Sequence, residues 1–226
     1  MNRATLIFLG AFLALSFSWA GLLLSNVNSY GGLAPHFDET DNKAYPAQVP
    51  GLAAQGAQVY ADLGCAYCHT QQISGGEPSA DLTRKWGERE SYARDYIREE
   101  SVLLGELRVG PDLRNFGARD STAAAIYLHL YNPQIETKGS TMPPYAFLFT
   151  TRKIVGQPSP LALDRVKVNV PAGSEIIPTD RAEALVAYLL NLRDSYEYPV
   201  EKQKNTPPKP PAAPHGAAEH KPEAHK

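Results

Sequence analysis

Apolar residues recur along this chain with two different rhythms, and one long stretch has no rhythm because it is apolar throughout. The 21 residues from Ala4 to Leu24 carry no charge and are broken by polar side chains only at Thr5, Ser16 and Ser18. At 1.5 Å per residue, that stretch predicts a helix able to cross a hydrocarbon core of about 30 Å. From about Leu52 to Leu63, Leu52, Gly56, Val59, Tyr60 and Leu63 fall on one face, with Gln55, Gln58 and Asp62 on the other, which predicts an amphipathic helix. An apolar run from Ala123 to Tyr131 ends at Asn132-Pro133. A final, mostly apolar helix is expected from the capping sequence Pro178-Thr179-Asp180, with Glu183 three or four residues on, through Leu192. Gly56 lets another backbone come close and Tyr188 is large enough to fill the notch, so these two helices are expected to cross there. Two further patterns are weaker. Glu88 to Leu104 places Tyr92, Tyr96, Ile97 and Leu103 at mixed helical spacings, and Arg165 to Val170 alternates like a strand exposed on one face.

These patterns divide the chain into an anchor at residues 1–28, a linker at 29–50, one domain at 51–198 and a tail at 199–226 rich in Pro, Ala, Lys and His. The domain is long enough for a single core. The tail is expected to be disordered, and its recurring His215, His220 and His225 read as solvated rather than as a metal site. Arg3 precedes the anchor, Trp19 lies toward its far end, and Asp38, Glu39 and Asp41 follow, so the N-terminus is expected in the cytoplasm and the domain outside. A cleaved signal peptide is the alternative, with Ser18-Trp19-Ala20 as a small-residue cleavage site. Both readings put the domain on the same side. A formal net charge of −2 argues against a nucleic-acid partner.

The chemistry is concentrated in Cys65-Ala66-Tyr67-Cys68-His69, which holds both cysteines of the chain. Two thiols at this spacing followed directly by histidine read as the attachment site of a c-type haem, with His69 an axial ligand of its iron. Three other readings were weighed: a thioredoxin-like disulfide, which lacks its βαβ context; a zinc site, which lacks two of its four ligands; and a fortuitous pair of buried thiols. The haem reading asks for a sixth ligand. Met142 is the only methionine besides the first residue, and it stands before Pro143-Pro144, which stiffen its loop. The competing role for Met142 is core filler. His129 is the rival ligand, although its place near a helix end suits contact with terminal carbonyls better. A ligating imidazole needs an acceptor for its other ring nitrogen, and the carbonyl of Pro111 in Gly110-Pro111-Asp112-Leu113 is the expected one.

Gly56 with Tyr60, and Leu185 with Tyr188, resemble the terminal-helix contact of class I cytochromes c. The anchor, the run Val59 to Ile73 around the haem motif, Gly110-Pro111-Asp112-Leu113, His129-Leu130-Tyr131-Asn132-Pro133 and Met142-Pro143-Pro144-Tyr145-Ala146-Phe147-Leu148 together resemble the monohaem subunit II of cbb3-type cytochrome c oxidases. The resemblance implies a mainly α, class I cytochrome c domain on a single transmembrane helix, with a small β-like insertion. It also implies one covalent haem c on Cys65 and Cys68, with His69 and Met142 as iron ligands. Further expectations are a bacterial inner-membrane location with the haem domain in the periplasm, no catalysis by the chain itself, and electron relay to a haem-copper subunit from other c-type cytochromes. The small subunit of a nitric oxide reductase and a free-standing electron shuttle are the alternatives. The chain departs from that family at Thr70-Gln71-Gln72-Ile73-Ser74-Gly75, where an Arg-Pro pair is usual, and in the insertion from Thr151 to Ile177.

Overall fold

The apolar N-terminal stretch forms one unbroken helix, α1 (Arg3–Tyr30), in a computed structural model that describes residues 3–76, 79–119, 121–199 and 201. None of its side chains is buried, and it is the one helix among the described residues long and apolar enough to span a membrane. The chain divides into two units, Met1–Tyr196 and Glu197–Lys226. Apart from residues 199 and 201, the expected disordered tail and its three histidines lie outside the described residues.

After α1 come a short antiparallel hairpin of β1 (His36–Asp38) and β2 (Lys43–Tyr45), then the helices α2 (Gly51–Asp62), α3 (Ala80–Thr83) and α4 (Ala123–Tyr131). A second antiparallel pair, β3 (Phe149–Lys153) and β4 (Ser174–Pro178), precedes α5 (Asp180–Asn191). The fold is therefore mainly helical, with two small ribbons.

The core forms where α2 and α5 cross. A β-carbon on Gly56 would sit 1.9 Å from the Ala184 carbonyl oxygen and 2.6 Å from Cβ of Tyr188, so the two backbones touch at the one residue without a side chain. Tyr60 and Tyr188 meet edge to face beside it, with ring centroids 5.5 Å apart. Val59, Leu185, Val186 and Leu189 bury their apolar surface around this contact, and Ile126, Leu128 and Leu130 of α4 join the same core.

Three local expectations fail, each because a side chain out-competes the backbone pattern. Glu88 to Leu104 is not a helix; it contains a single tight turn at Ala93–Tyr96. Here the buried Asp95 carboxylate takes both arms of the Arg89 guanidinium, at 2.7 and 2.8 Å, and the Tyr92 N–H at 2.8 Å, so the chain folds around an ion pair instead of winding past it. Arg165 to Val170 is a turn, not a strand. The Asp164 side chain accepts the Val166 N–H at 2.9 Å and its carbonyl accepts those of Lys167 and Val168, while the strands of this insertion lie at its two edges. The capping sequence before α5 makes no side-chain cap; Thr179 instead donates both its hydroxyl and its N–H to the Leu148 carbonyl, at 2.8 and 2.9 Å. That bond ties the start of α5 to the loop bearing Met142.

Replacing Gly56 with Ala is expected to force the two helices apart, costing ~3 kcal/mol, the upper end for overpacking because the new atom meets backbone rather than a movable side chain. Denaturant titration followed by far-UV circular dichroism measures this; a variant as stable as the parent would show that the crossing is not close.

Candidate haem site

Helix α2 ends at Asp62 with Leu63 as its cap, and Gly64 turns the chain at φ 72° into a single helical turn, Cys65–Tyr67. The amides of Cys68 and His69 both donate to the Cys65 carbonyl, at 3.1 and 3.0 Å, so the two sulfurs and the imidazole are carried on one tight turn. Both thiols are free; Cys65 is half-buried and Cys68 exposed. Burial pushes the Cys65 thiol up to about 11, opposed by a hydrogen bond with the side chain of Tyr145.

A second loop closes over this turn along its whole length. Glu106 donates to the Ala66 carbonyl at 3.0 Å, Gly110 to Cys68 at 2.9 Å and Leu113 to Thr70 at 2.8 Å, while Gln71 donates back to Leu104 at 2.8 Å. Pro111 thereby presents its carbonyl 2.8 Å from Nδ1 of His69. The ring lies flat enough on Gly110 that a β-carbon there would be 2.3 Å from the imidazole. Nδ1 is thus engaged and Nε2 is the nitrogen left to face a ligand. Burial holds the imidazole below its ordinary pKa, against the pull of the Pro111 bond and with a further push from His129. A neutral ring is the form that ligates metal.

The loop from 140 to 148 carries Met142, the expected second donor. Met142 is half-buried against the same core as Cys65, and its N–H is held by the Ser140 hydroxyl at 3.3 Å. Tyr145 spans the gap: its N–H donates to the Leu130 carbonyl at 2.8 Å and its phenol bonds the Cys65 sulfur. His129 lies in the last turn of α4, near the helix end as expected, and is close enough to lower the His69 pKa.

Several residues that carry this geometry have no motif of their own. Asp112 is fully buried and accepts from the Thr70 hydroxyl at 2.6 Å, the Gln72 N–H at 2.8 Å and the Arg114 N–H at 2.8 Å. Gln71 is also fully buried; its amide oxygen accepts from the Tyr188 hydroxyl at 2.8 Å, which links the haem-motif segment to the helix crossing. Arg108 fans across the departure from the family pattern, donating to Asp81 at 2.7 Å, the Gln72 carbonyl at 2.7 Å and the Thr70 hydroxyl at 3.0 Å. The only sequence signal for Asp112 is its place after Gly110-Pro111.

The residues present fit a haem. Two free thiols, an imidazole with one nitrogen oriented by a carbonyl, and a soft thioether on the 140–148 loop are the donor set of a c-type site. Tyr67, Leu107, Val109 and Phe147 are exposed apolar side chains on the turn and the loops beside it, an apolar surface of the kind a porphyrin would need. A cavity of about 910 Å³ elsewhere, lined by Val49, Ala57, Arg98, Leu103 and Leu190 among others, contains none of these residues.

The family profile described as cytochrome C oxidase, mono-heme subunit/FixO matches residues 41–185, and the chain belongs to that family. No curated protein matches it. Membership makes the chain a haem-bearing, electron-transport subunit of a membrane-associated cytochrome c oxidase, an oxidoreductase complex with a haem-copper partner, and is consistent with α1 as its anchor.

Asp112→Asn would turn an NH2 group toward amide and hydroxyl donors in a buried site, a loss of ~2–3 kcal/mol. The expected readout is a thermal midpoint lower by roughly 5–10 °C. An unchanged midpoint would show that this carboxylate does not organise the turn.

Proposed function

We propose that this mono-heme subunit carries a single haem c, bound covalently through Cys65 and Cys68 in a class I cytochrome c domain, with His69 and Met142 as the axial ligands of its iron. The observation that carries the reading is the His69 imidazole: its Nδ1 is engaged by the Pro111 carbonyl and its ring lies on Gly110, directly beside two free thiols. The bound haem supplies a reversible one-electron couple.

The chain's own residues set how that couple works. Pro111 fixes the tautomer and direction of His69, so that Nε2 is the donor. Met142 contributes a soft sulfur, which favours reduced iron and raises the potential. With His69 and Met142 both holding the iron, the haem would have no open position for substrate, and the chain's task would be to pass electrons. It accepts them from other c-type cytochromes and hands them to the oxygen-reducing haem-copper subunit of a cbb3-type oxidase. Arg3 keeps the N-terminus in the cytoplasm, so the haem domain faces the periplasm of a bacterial inner membrane, held there by α1.

Covalent attachment predicts one haem per chain that survives denaturing electrophoresis as a peroxidase-active band; haem lost on denaturation contradicts it. Met142→Ala is expected to keep the haem, lower its potential and abolish the near-infrared sulfur-to-iron band. Absence of that band from the parent, or a potential that the substitution leaves unmoved, would make Met142 a core residue and return His129 as the candidate ligand.

A further inference from the structure

The segment between the membrane helix and the domain reads from sequence as a linker, yet it is folded and bonded to the domain. Leu33 donates to the Tyr30 carbonyl at 3.0 Å where α1 ends, and after Pro35 the chain enters the hairpin β1–β2, in which His36 pairs with Tyr45 and Asp38 with Lys43. Alternation along a strand puts His36 and Asp38 on one face, and cross-strand pairing adds Tyr45 to it. That face receives Tyr196, a residue from the far end of the domain. The rings of Tyr45 and Tyr196 stack with centroids 3.8 Å apart and planes within 6°, His36 lies 5.8 Å from the same ring, and the Tyr196 hydroxyl donates to Asp38 at 2.8 Å.

Tyr196 is itself held from the domain side. Arg89 donates through Nε to the Tyr196 carbonyl at 2.8 Å, and the buried Asp95 grips the rest of the Arg89 guanidinium. Arg94, from the same turn, donates to the carbonyl of Ala34, directly ahead of the hairpin. The connection therefore runs from α1 through the hairpin to Tyr196, Arg89 and Asp95, with a bonded contact at each step. Beyond the hairpin, Pro46 and Pro50 stiffen the short path into α2, whose Ala54 N–H returns to the Pro50 carbonyl at 2.9 Å.

We propose that the β1–β2 hairpin is a clasp, latched by Tyr196, that holds the haem domain at one distance and orientation from the membrane helix and so sets the pose in which electrons pass to the partner subunit. It rests on the relay reading above and adds the residues that make the tether rigid. Unlatched, residues 31–50 would behave as a coil with an end-to-end distance near 25 Å and a spread of the same order. The haem would then sample many poses and only a fraction of them would be productive. Tyr196 and Tyr45 act here as positioning residues.

The test uses the intact complex in lipid nanodiscs. Nitroxide labels at Asn28→Cys near the end of α1 and Lys153→Cys on β3 report the helix-to-domain distance by pulsed electron–electron resonance. The parent should give one narrow distance. Tyr196→Ala and Tyr45→Ala should each spread it by ~10 Å or more, and Tyr196→Phe, which keeps the stack, should restore the narrow distribution. In the same variants the rate of electron transfer from this haem to the partner should fall roughly tenfold, with haem content and midpoint potential unchanged, and recover in Tyr196→Phe. Tyr45→Ala lies outside the domain core and guards against a folding defect. A broad distribution in the parent, a narrow one in both alanine variants, or a broadened distance with an unchanged rate would each overturn the clasp. Should the parent haem pass no electrons to its partner, the relay reading would fall, while the distances would still decide whether the clasp holds.

Discussion

The contact on which the rest of the domain depends is the backbone-to-backbone meeting of α2 and α5 at Gly56. Any side chain there would push the helices apart, since a β-carbon would come within 1.9 Å of the Ala184 carbonyl oxygen. This approach sets the direction in which α2 ends, and the haem-motif turn begins three residues after that end, through Leu63 and Gly64. It also sets where Tyr188 points, toward the buried Gln71 in the segment that follows His69. The chemistry is thus mounted on a helix pair whose geometry is decided by an absent side chain.

Around that contact, the loops are placed by buried polar groups rather than by apolar pattern. Asp112 gathers three donors, Asp95 holds both arms of Arg89, and Arg114 reaches both Glu99 and Asp194. Removing one member of such a set leaves its partners unpaired in a poorly solvated place, which costs more than the bonds contribute net. These groups therefore specify one arrangement of the loops around Asp95 and Asp112. The consequence for the site is a rigid frame on both sides of His69: Pro111 and Gly110 on one loop, the helical turn of Cys65 on the other.

What could be read from sequence follows from this division. Helices α2 and α5 are legible from their rhythm and end signals, α1 and α4 from uncharged apolar runs of helical length, and the crossing from a small glycine matched to a large tyrosine. The His69 to Pro111 contact was accessible from the requirement that an imidazole in such a turn have an acceptor. The false helix at Glu88 to Leu104 and the false strand at Arg165 to Val170 show the limit. In both, a carboxylate inside the segment or directly before it captured the backbone, and a hydrophobic count does not register that event. The hairpin at 36–45 escaped for another reason: its partner, Tyr196, is about 150 residues away and nothing local announces the pairing. Within the site, Asp112 and Gln71 escaped because their roles come from burial, which their residue types do not advertise.

An apolar N-terminal helix, a hairpin bonded to Tyr196, a close helix pair and a framed imidazole are the features on which the proposed relay rests. Time-resolved absorbance of the fully reduced complex after mixing with oxygen tests this most directly. If the chain is the relay, its low-spin c-type haem is oxidised at least as fast as the oxidase turns over and is re-reduced with each cycle of donor. A haem on this chain that stays reduced through many turnovers would contradict the account.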